Sequence, residues 1–494
     1  MSNMNTSRRD VLKAGTVAGI AAGLGAWPTL ASANTLSANE ELRIAVIGVR
    51  GRGNEHINGF QGAKGAKLVA FCDADTAVLN STTEKYEKKF NTKYDKYEDY
   101  RKLLDNKDID AVTIATPNHW HALMTIDAVK AGKHVYVEKP VCHNVWEGRQ
   151  MVEIVKQSDR VVGAGFQNRS DKGLIAAYDY IQQGNIGKTL MGRGLCYRKR
   201  ASIGKQDKPL TPPKSVNYDM WLGPADDEPM FRPQFHYDWH WVWNTGNGDM
   251  GNQGPHEMDV LRWFLGEPMV HPSKVMSFGG RFGWDDAGNT PNMQIASIDY
   301  GNGVPVYFEV RDLSKTPDGK DGVNFKGQSV DIILTCEGGE FRGGRGGGAI
   351  YDADGKKVKE FKGDSGGTHM QNFVDCVLSN DGSKLRSPLE SAFLSSSLSH
   401  LSNISTRCGR DATMQEILSA VGHDANLTEA ASRFADHLKA WSVDYEKTPW
   451  SLGPTLTFDP AAEKFTAGEN LELANKMLKR EGRAGYVIPT AVKG

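Results

Sequence analysis

Leu42-Arg43-Ile44-Ala45-Val46-Ile47-Gly48-Val49-Arg50-Gly51-Arg52-Gly53-Asn54-Glu55-His56 is the stretch whose reading decides the fold. A short run rich in aliphatic residues ends in glycine, the pattern of a buried parallel strand. The glycines then permit a tight turn, and the polar segment from Asn54 opens a helix. Such a turn lets the backbone approach a pyrophosphate, and the helix N-terminus supplies donors to it. A second strand over 67–72 ends at Asp73, at the spacing where a carboxylate accepts from ribose hydroxyls. By itself the loop is weak evidence. A plain strand-to-helix turn reads the same way, and Arg50 stands where a middle glycine is usual, with Gly51 displaced by one.

The later strands decide between these readings. Residues 110–116 (Asp-Ala-Val-Thr-Ile-Ala-Thr) form a third strand after a helical stretch over 97–104. Residues 122–131 are apolar at helical spacing, and 134–138 make a further strand followed by Lys139-Pro140. This alternation predicts a doubly wound parallel sheet. Ligands of open α/β sheets bind beyond the carboxyl ends of the strands. That places Thr116-Pro117-Asn118-His119-Trp120-His121 and Glu138-Lys139 at one crevice, where Pro140 stops the strand and leaves the lysine projecting. Asp73 favours NAD, while Arg50 and Arg52 are compatible with a 2′-phosphate, so NADP stays open. A third motif, 246–263, starts a helix near Pro255. His256, Asp259, Val260 and Trp263 share a face of it, so Asp259 is expected to orient the His256 ring.

Together these residues resemble the glucose–fructose oxidoreductase / inositol dehydrogenase / MocA family, at motif level over 42–266. The resemblance implies an α/β protein: an N-terminal Rossmann domain and a C-terminal α+β domain with a large open, mostly antiparallel sheet that covers the nicotinamide. Homo-oligomers, dimeric or tetrameric, are expected from it. Lys139 matches the family's active-site lysine and His256 its usual catalytic histidine. Gly48, Arg50, Gly51, Arg52, Gly53, Asp73, Thr116, Pro117, Asn118, His119, His121, Glu138 and Lys139 are then the expected cofactor-binding residues. Many dehydrogenases of the family carry aspartate four residues before the histidine; here Asn252 stands there, with Asp249 nearby. That departure bears on the proton relay.

In the implied chemistry a cationic lysine stabilises a developing alkoxide, and a histidine takes the hydroxyl proton as hydride leaves. The segment 231–243 (Phe-Arg-Pro-Gln-Phe-His-Tyr-Asp-Trp-His-Trp-Val-Trp) reads either as a structural aromatic cluster or as a platform for sugar rings. Trp120, Tyr237, Trp239, Asp249, Asn252 and Asp259 are the substrate-binding candidates. The alternating His236, Asp238 and His240 among so many rings do not make a convincing metal site, and no metal is expected.

The chain has 494 residues and a formal net charge of -1, which suits two domains and excludes a nucleic-acid footprint. Ser7-Arg8-Arg9-Asp10, a Gly-rich apolar run and Ala31-Ser32-Ala33 resemble a twin-arginine export signal over 1–33, and no membrane anchor is expected after its removal. The Rossmann domain is placed at 40–165, the substrate and oligomerisation domain at 166–447, and a wrapping tail with one short helix at 448–494. In the second half, 294–300 and 304–311 form a hairpin, 330–336 a strand, and 349–351 with 356–361 a further hairpin. Residues 340–348 are too glycine-rich for regular structure, and 391–404 make a helix buried on one side. The six cysteines lack metal or redox spacing and read as buried thiols, with a disulfide as the alternative. Three functions fit: an NAD(P)-dependent oxidoreductase acting on a sugar hydroxyl or ketone with a tightly held cofactor, an NAD-dependent glycosidase working by transient oxidation, and an inactive sugar-binding protein.

Overall fold

The computed structural model describes residues 41–444 and 447–491, so the expected leader lies outside the described residues. The first sheet contains β1 (Leu42–Ile47), β2 (Ala66–Cys72), β3 (Asp95–Tyr97), β4 (Ala111–Ile114), β5 (His134–Val137) and β6 (Val162–Ala164). Its order is β3-β2-β1-β4-β5-β6, with every pairing parallel. All residues of β4 and β5 are buried, because helices cover both faces and no side of these strands meets water. Strand order reverses between β1 and β4, which opens a crevice beyond their carboxyl ends.

The second sheet has twelve strands: β7 (Thr189–Cys196), β8 (Lys274–Gly280), β9 (Met293–Asp299), β10 (Val306–Arg311), β11 (Ile332–Cys336), β12 (Gly339–Gly344), β13 (Gly347–Tyr351), β14 (Lys357–Lys362), β15 (Arg410–Ala412), β16 (Trp450–Leu452), β17 (Leu456–Asp459) and β18 (Lys464–Ala467). It is mixed: β7 and β10 pair parallel, and the other neighbours pair antiparallel. The helices Gly254–Phe264 and Leu389–Arg407 pack on one face. The other face, over β8 to β10, is covered by Met414–Val421 and Ala425–Ala440, with Phe434 and Trp450 against Phe278 and Ile295. Among the described residues no helix is long and apolar enough to cross a membrane. All six cysteines are free and buried.

Three elements depart from expectation. Residues 340–348 are not irregular: they form most of the β12–β13 hairpin. Glycine is needed there because strands and helix approach closely. A Cβ on Gly173 of the helix Lys172–Gln182 would lie 2.8 Å from the Gly347 Cα, and one on Gly348 would lie 2.6 Å from the Phe341 ring. The tail contributes β16 and β17 as antiparallel partners of β8, so it completes the sheet as well as wrapping it. The helix Leu389–Arg407 is buried nearly all round. Its serines permit this by bonding back to the preceding turn, as Ser396 to the Ala392 carbonyl at 2.8 Å and Ser402 to that of Leu398 at 2.8 Å.

Candidate functional site

The crevice holds a cavity of about 550 Å³. Its floor is the set of Rossmann strand ends. Gly48 has φ +81°, and a Cβ there would lie 2.8 Å from the Ala115 backbone. A Cβ on Gly53 would collide with the Gly48 carbonyl. Gly51 has φ +47° and nothing near it. The helix Arg52–Gln61 that follows has no side-chain cap, and within its first turn the Gly53 and Asn54 N–H groups donate to the Arg50 and Gly51 carbonyls at 2.8 and 3.1 Å. Asp73 ends β2, with Oδ2 accepting from the Val49 N–H at 3.0 Å and Oδ1 from that of Asp75 at 3.0 Å. An uncapped helix start, a glycine turn that no other residue fits and a carboxylate at the second strand end suit a dinucleotide.

Glu138 lies at the centre of the floor. Its Oε1 accepts from Arg52 Nε at 2.7 Å and Gln167 Nε2 at 3.1 Å, and pairs with His56 Nε2 at 2.9 Å; its Oε2 accepts from the Lys139 backbone at 3.2 Å. Burial alone would raise this carboxyl, but the Arg52 guanidinium and the His56 hydrogen bond hold it well below the usual range. A Cβ on Gly165 would lie 2.7 Å from that carboxylate, so glycine is needed there. Lys139 sits beside it and donates from Nζ to the Asn252 carbonyl at 2.8 Å. Burial lowers its pKa, opposed by the Glu138 charge.

Behind Asn252 lies a charged cluster. Asn252 Nδ2 donates to Asp249 Oδ1 at 2.9 Å, and Arg200 grips Asp249 with Nε at 2.6 Å and Nη2 at 2.8 Å. Asp312 is fully buried beside them. Burial and the neighbouring Asp249 push its carboxyl well up, while Arg200, against the burial penalty, brings Asp249 down to about 2. Two carboxyls this close oppose each other's ionisation.

The roof comes from the second domain. Ser215 accepts from the Thr76 N–H at 2.8 Å, and the Asn217 N–H donates to Ala74 at 2.8 Å. His236 Nε2 pairs with Asp75 at 2.8 Å, and Trp120 Nε1 donates to the Trp221 carbonyl at 2.9 Å. The tail secures this roof: Arg483 Nε donates to Gly223 at 2.8 Å, and Tyr486 donates to Asp219 at 2.7 Å while its ring meets the Trp120 edge.

Most expected site residues line this cavity, on the floor from Gly48 to Lys139 and on the roof through Tyr237, Trp239 and Asn252. Others stand elsewhere. His119 is fully buried, its ring between the carbonyls of Trp221 at 3.2 Å and Thr245 at 3.3 Å, and it joins floor to roof. His121 reaches the cavity, yet its ring nitrogens face the carbonyls of Pro140 at 2.6 Å and Thr116 at 2.8 Å. Asp249 is buried behind Asn252. Asp259 does not orient His256: Arg169 takes both its oxygens, at 2.7 and 2.8 Å, and Ser395 adds a third bond at 2.7 Å. His256 is not among the cavity's lining; its ring packs edge-on against Phe166 and its Nδ1 is buried without a partner. Burial and the Lys139 charge push it well below the ordinary histidine pKa. The sequence reading did not single out Tyr100, Met220, Trp221 or His240 as site residues, although all four line the cavity. Only the aromatic density of 231–243 carried a signal for His240.

Residues 42–166 match the model of an oxidoreductase family with an NAD-binding Rossmann fold, and residues 193–332 match the C-terminal α/β domain of the same family, Gfo/Idh/MocA. The chain belongs to the Gfo/Idh/MocA family. Within the family, a glycosyl hydrolase family 109 protein of Shewanella sp. is 33% identical over 157 residues, 31% of this chain and 34% of that protein. An inositol 2-dehydrogenase of Salmonella typhimurium is 30% identical over 158 residues, 32% of this chain and 46% of that protein. These matches thus span about a third to a half of the curated relatives' length. The WlbA dehydrogenase of Bordetella pertussis, solved with NADH and UDP-GlcNAcA, superposes with a TM-score of 0.52 at 19% identity, over 73% of this chain and 94% of that one. A Thermotoga maritima oxidoreductase gives a TM-score of 0.56 at 16% identity, over 74% and 96%. Both show the shared fold.

Proposed function

We propose that this protein is an NAD-dependent oxidoreductase that interconverts a hydroxyl and a ketone on a sugar or sugar derivative. One observation carries the reading: the NAD-type crevice and the Lys139 ammonium open into a single cavity roofed by Tyr237 and Trp239. The floor from Gly48 to Asp73 would hold the dinucleotide, which when bound supplies the hydride acceptor. Lys139 places a cation where a substrate alkoxide would develop, and such a preorganised donor is most effective where water is excluded. The tyrosine and tryptophan faces suit the apolar faces of a pyranose.

A second reading has its own support. The local identity to glycosyl hydrolase family 109 proteins, one of them the alpha-N-acetylgalactosaminidase of Shewanella oneidensis, favours a glycosidase that oxidises its substrate transiently and reduces it again. We also read the chain as exported through its twin-arginine-type leader and as a homo-oligomer. Export would separate the enzyme from a cytoplasmic nucleotide pool, and bonds from the roof and tail tie the two sides of the crevice together, so we read the nucleotide as resident.

Denaturing the purified protein and assaying the released nicotinamide tests the resident cofactor; none at any stoichiometry sinks it. Incubation with aryl glycosides and with free sugars separates the readings. Ketosugar formation supports the oxidoreductase, and aglycone release without net NADH supports the glycosidase.

A further inference from the structure

Lys139 reaches the cavity from the floor, but what fixes its ammonium lies behind the site. Nζ donates to the backbone carbonyl of Asn252 at 2.8 Å. Asn252 stands at the joint between the short helix Gly248–Gly251 and the helix Gly254–Phe264, where a helix end leaves carbonyls without intrahelical partners. It is held there from two sides. Its N–H donates to the Gly248 carbonyl at 2.8 Å, and its Nδ2 donates to Asp249 Oδ1 at 2.9 Å. Asp249 is fully buried and gripped by the fork of Arg200, Nε to Oδ2 at 2.6 Å and Nη2 to Oδ1 at 2.8 Å. Arg200 is anchored in turn. Its N–H donates to the Asp312 carbonyl at 2.8 Å, just past β10, and its guanidinium lies 5.5 Å from the centre of the Trp241 ring. A buried ion pair is poor evidence of stability, since apolar residues of similar volume often serve as well. What this pair has is a continuous path of bonds to the lysine.

We propose that Asp249 and Arg200 are positioning residues for Lys139: they fix the Asn252 carbonyl that holds the ammonium, and Asp249 sets a negative charge behind it. The role rests on the oxidoreductase reading, in which the ammonium must meet a developing alkoxide at one place. Asp249 acts through Asn252, and Arg200 through Asp249. A bidentate arginine–carboxylate pair is geometrically specific, so the fork passes the position of the second sheet on to the lysine. The charged groups that face Lys139 are Glu138 beside it, Arg52 from the helix Arg52–Gln61, and Asp249 and Glu257 from the two helices that meet at Asn252. The rings of His121, His240 and His256 feel its charge in return. Burial lowers the Lys139 pKa most, Glu138 opposes this, Arg52 adds to it, and Asp249 and Glu257 raise it. Burial also pushes the Glu257 carboxyl well up, which leaves Asp249 as the anion on that side. Removing the Asp249 charge therefore takes support from the ammonium, and the lysine loses its proton at lower pH.

The test compares the full-length wild type with Arg200→Lys and with the double variant Asp249→Asn, Asp312→Asn. Asp312 lies beside the same arginine and can take over the charge, so only the double variant removes it. Trace acetylation of Lys139 across pH, read by mass spectrometry of its peptide, follows the lysine without any substrate. Its half-titration point should fall in the double variant, and an unmoved point overturns the proposal. Myo-inositol, glucose and N-acetylgalactosamine serve as probes for reduction of the bound nucleotide. Both variants should keep wild-type nicotinamide content and half-saturating probe concentration, while the limiting rate drops about 10²-fold. A purely structural role would lower nucleotide content and leave the rate per bound nucleotide unchanged, and that result also overturns the proposal. If the double variant misfolds, Arg200→Lys decides, because lysine keeps the charge beside Asp249 but lacks the fork. Its Lys139 titration and its limiting rate should both depart from wild type, and unchanged values overturn the positioning role. A wild type that retains nucleotide but reduces it with no probe counts against the oxidoreductase reading, whereas the acetylation result judges the positioning role by itself.

Discussion

The floor and the roof of the cavity are built on opposite principles. On the floor, Glu138 meets Arg52, His56, Gln167 and a backbone N–H, so that its carboxylate is fully engaged before any ligand arrives. On the roof, Tyr237 has φ 70° and is half-exposed, and His240 stacks on Trp239 with its Nδ1 held by the Tyr237 carbonyl. The floor is thus an electrostatic base, and the roof is a layer of packed rings. A buried charge needs fixed partners around it, whereas stacked rings hold their place by packing and one or two hydrogen bonds.

The largest expected effect lies on the floor. Glu138→Gln leaves Arg52 without its counter-charge and takes an anionic acceptor from His56; breaking a buried pair costs about 3–5 kcal/mol, here toward the lower figure because the Arg52 side chain is 34% exposed, to be read as a lower midpoint in thermal or urea unfolding. Because the Glu138 carboxyl is depressed in the folded state, its contribution is present above the unfolded pKa and is lost as pH falls through the folded one. A variant as stable as wild type would dissolve the contrast between floor and roof. Next, Lys139→Met should lower turnover by roughly 10²–10³-fold while bound nicotinamide stays at wild-type content; near-normal rates would move the chemistry away from this lysine.

A broader effect comes with acid. His119 is held at about 3, and His134, His369 and His400 at about 4, each chiefly by burial. Between those values and the ordinary histidine pKa near 6.5, the unfolded chain binds protons that the folded one does not. Stability should therefore fall steadily as pH drops from about 6.5 toward 4, and thermal midpoints across that window check it. The smallest effect is at the tail. Tyr486→Phe removes the bond to Asp219 and should lower the unfolding midpoint by the equivalent of about 1 kcal/mol, sharpening the comparison if nucleotide release quickens with it.

How much was legible varies with how local the cause is. The strands β1, β2, β4 and β5, the glycine turn and the placement of Glu138 and Lys139 were all readable, since each depends on a short run of neighbours. The role of Asp259 was not. Helical spacing places it on the face of His256, but the side chain that claims it, Arg169, arrives from 90 residues away. The hairpin over 340–348 was missed for a related reason: glycine-rich composition looks irregular until one sees the helix Lys172–Gln182 pressed against it.

The sequence alone determined the two-domain α/β plan, the NAD-type strand ends and the lysine at the crevice, because periodicity and turn chemistry act within a few residues. Only the tertiary structure decided what each histidine ring packs against. His240 and His256 are sixteen positions apart and chemically identical in sequence. What separates them is a carbonyl at Tyr237 that holds the Nδ1 of one ring and a Phe166 edge packed against the other, and both contacts exist only once the chain has folded.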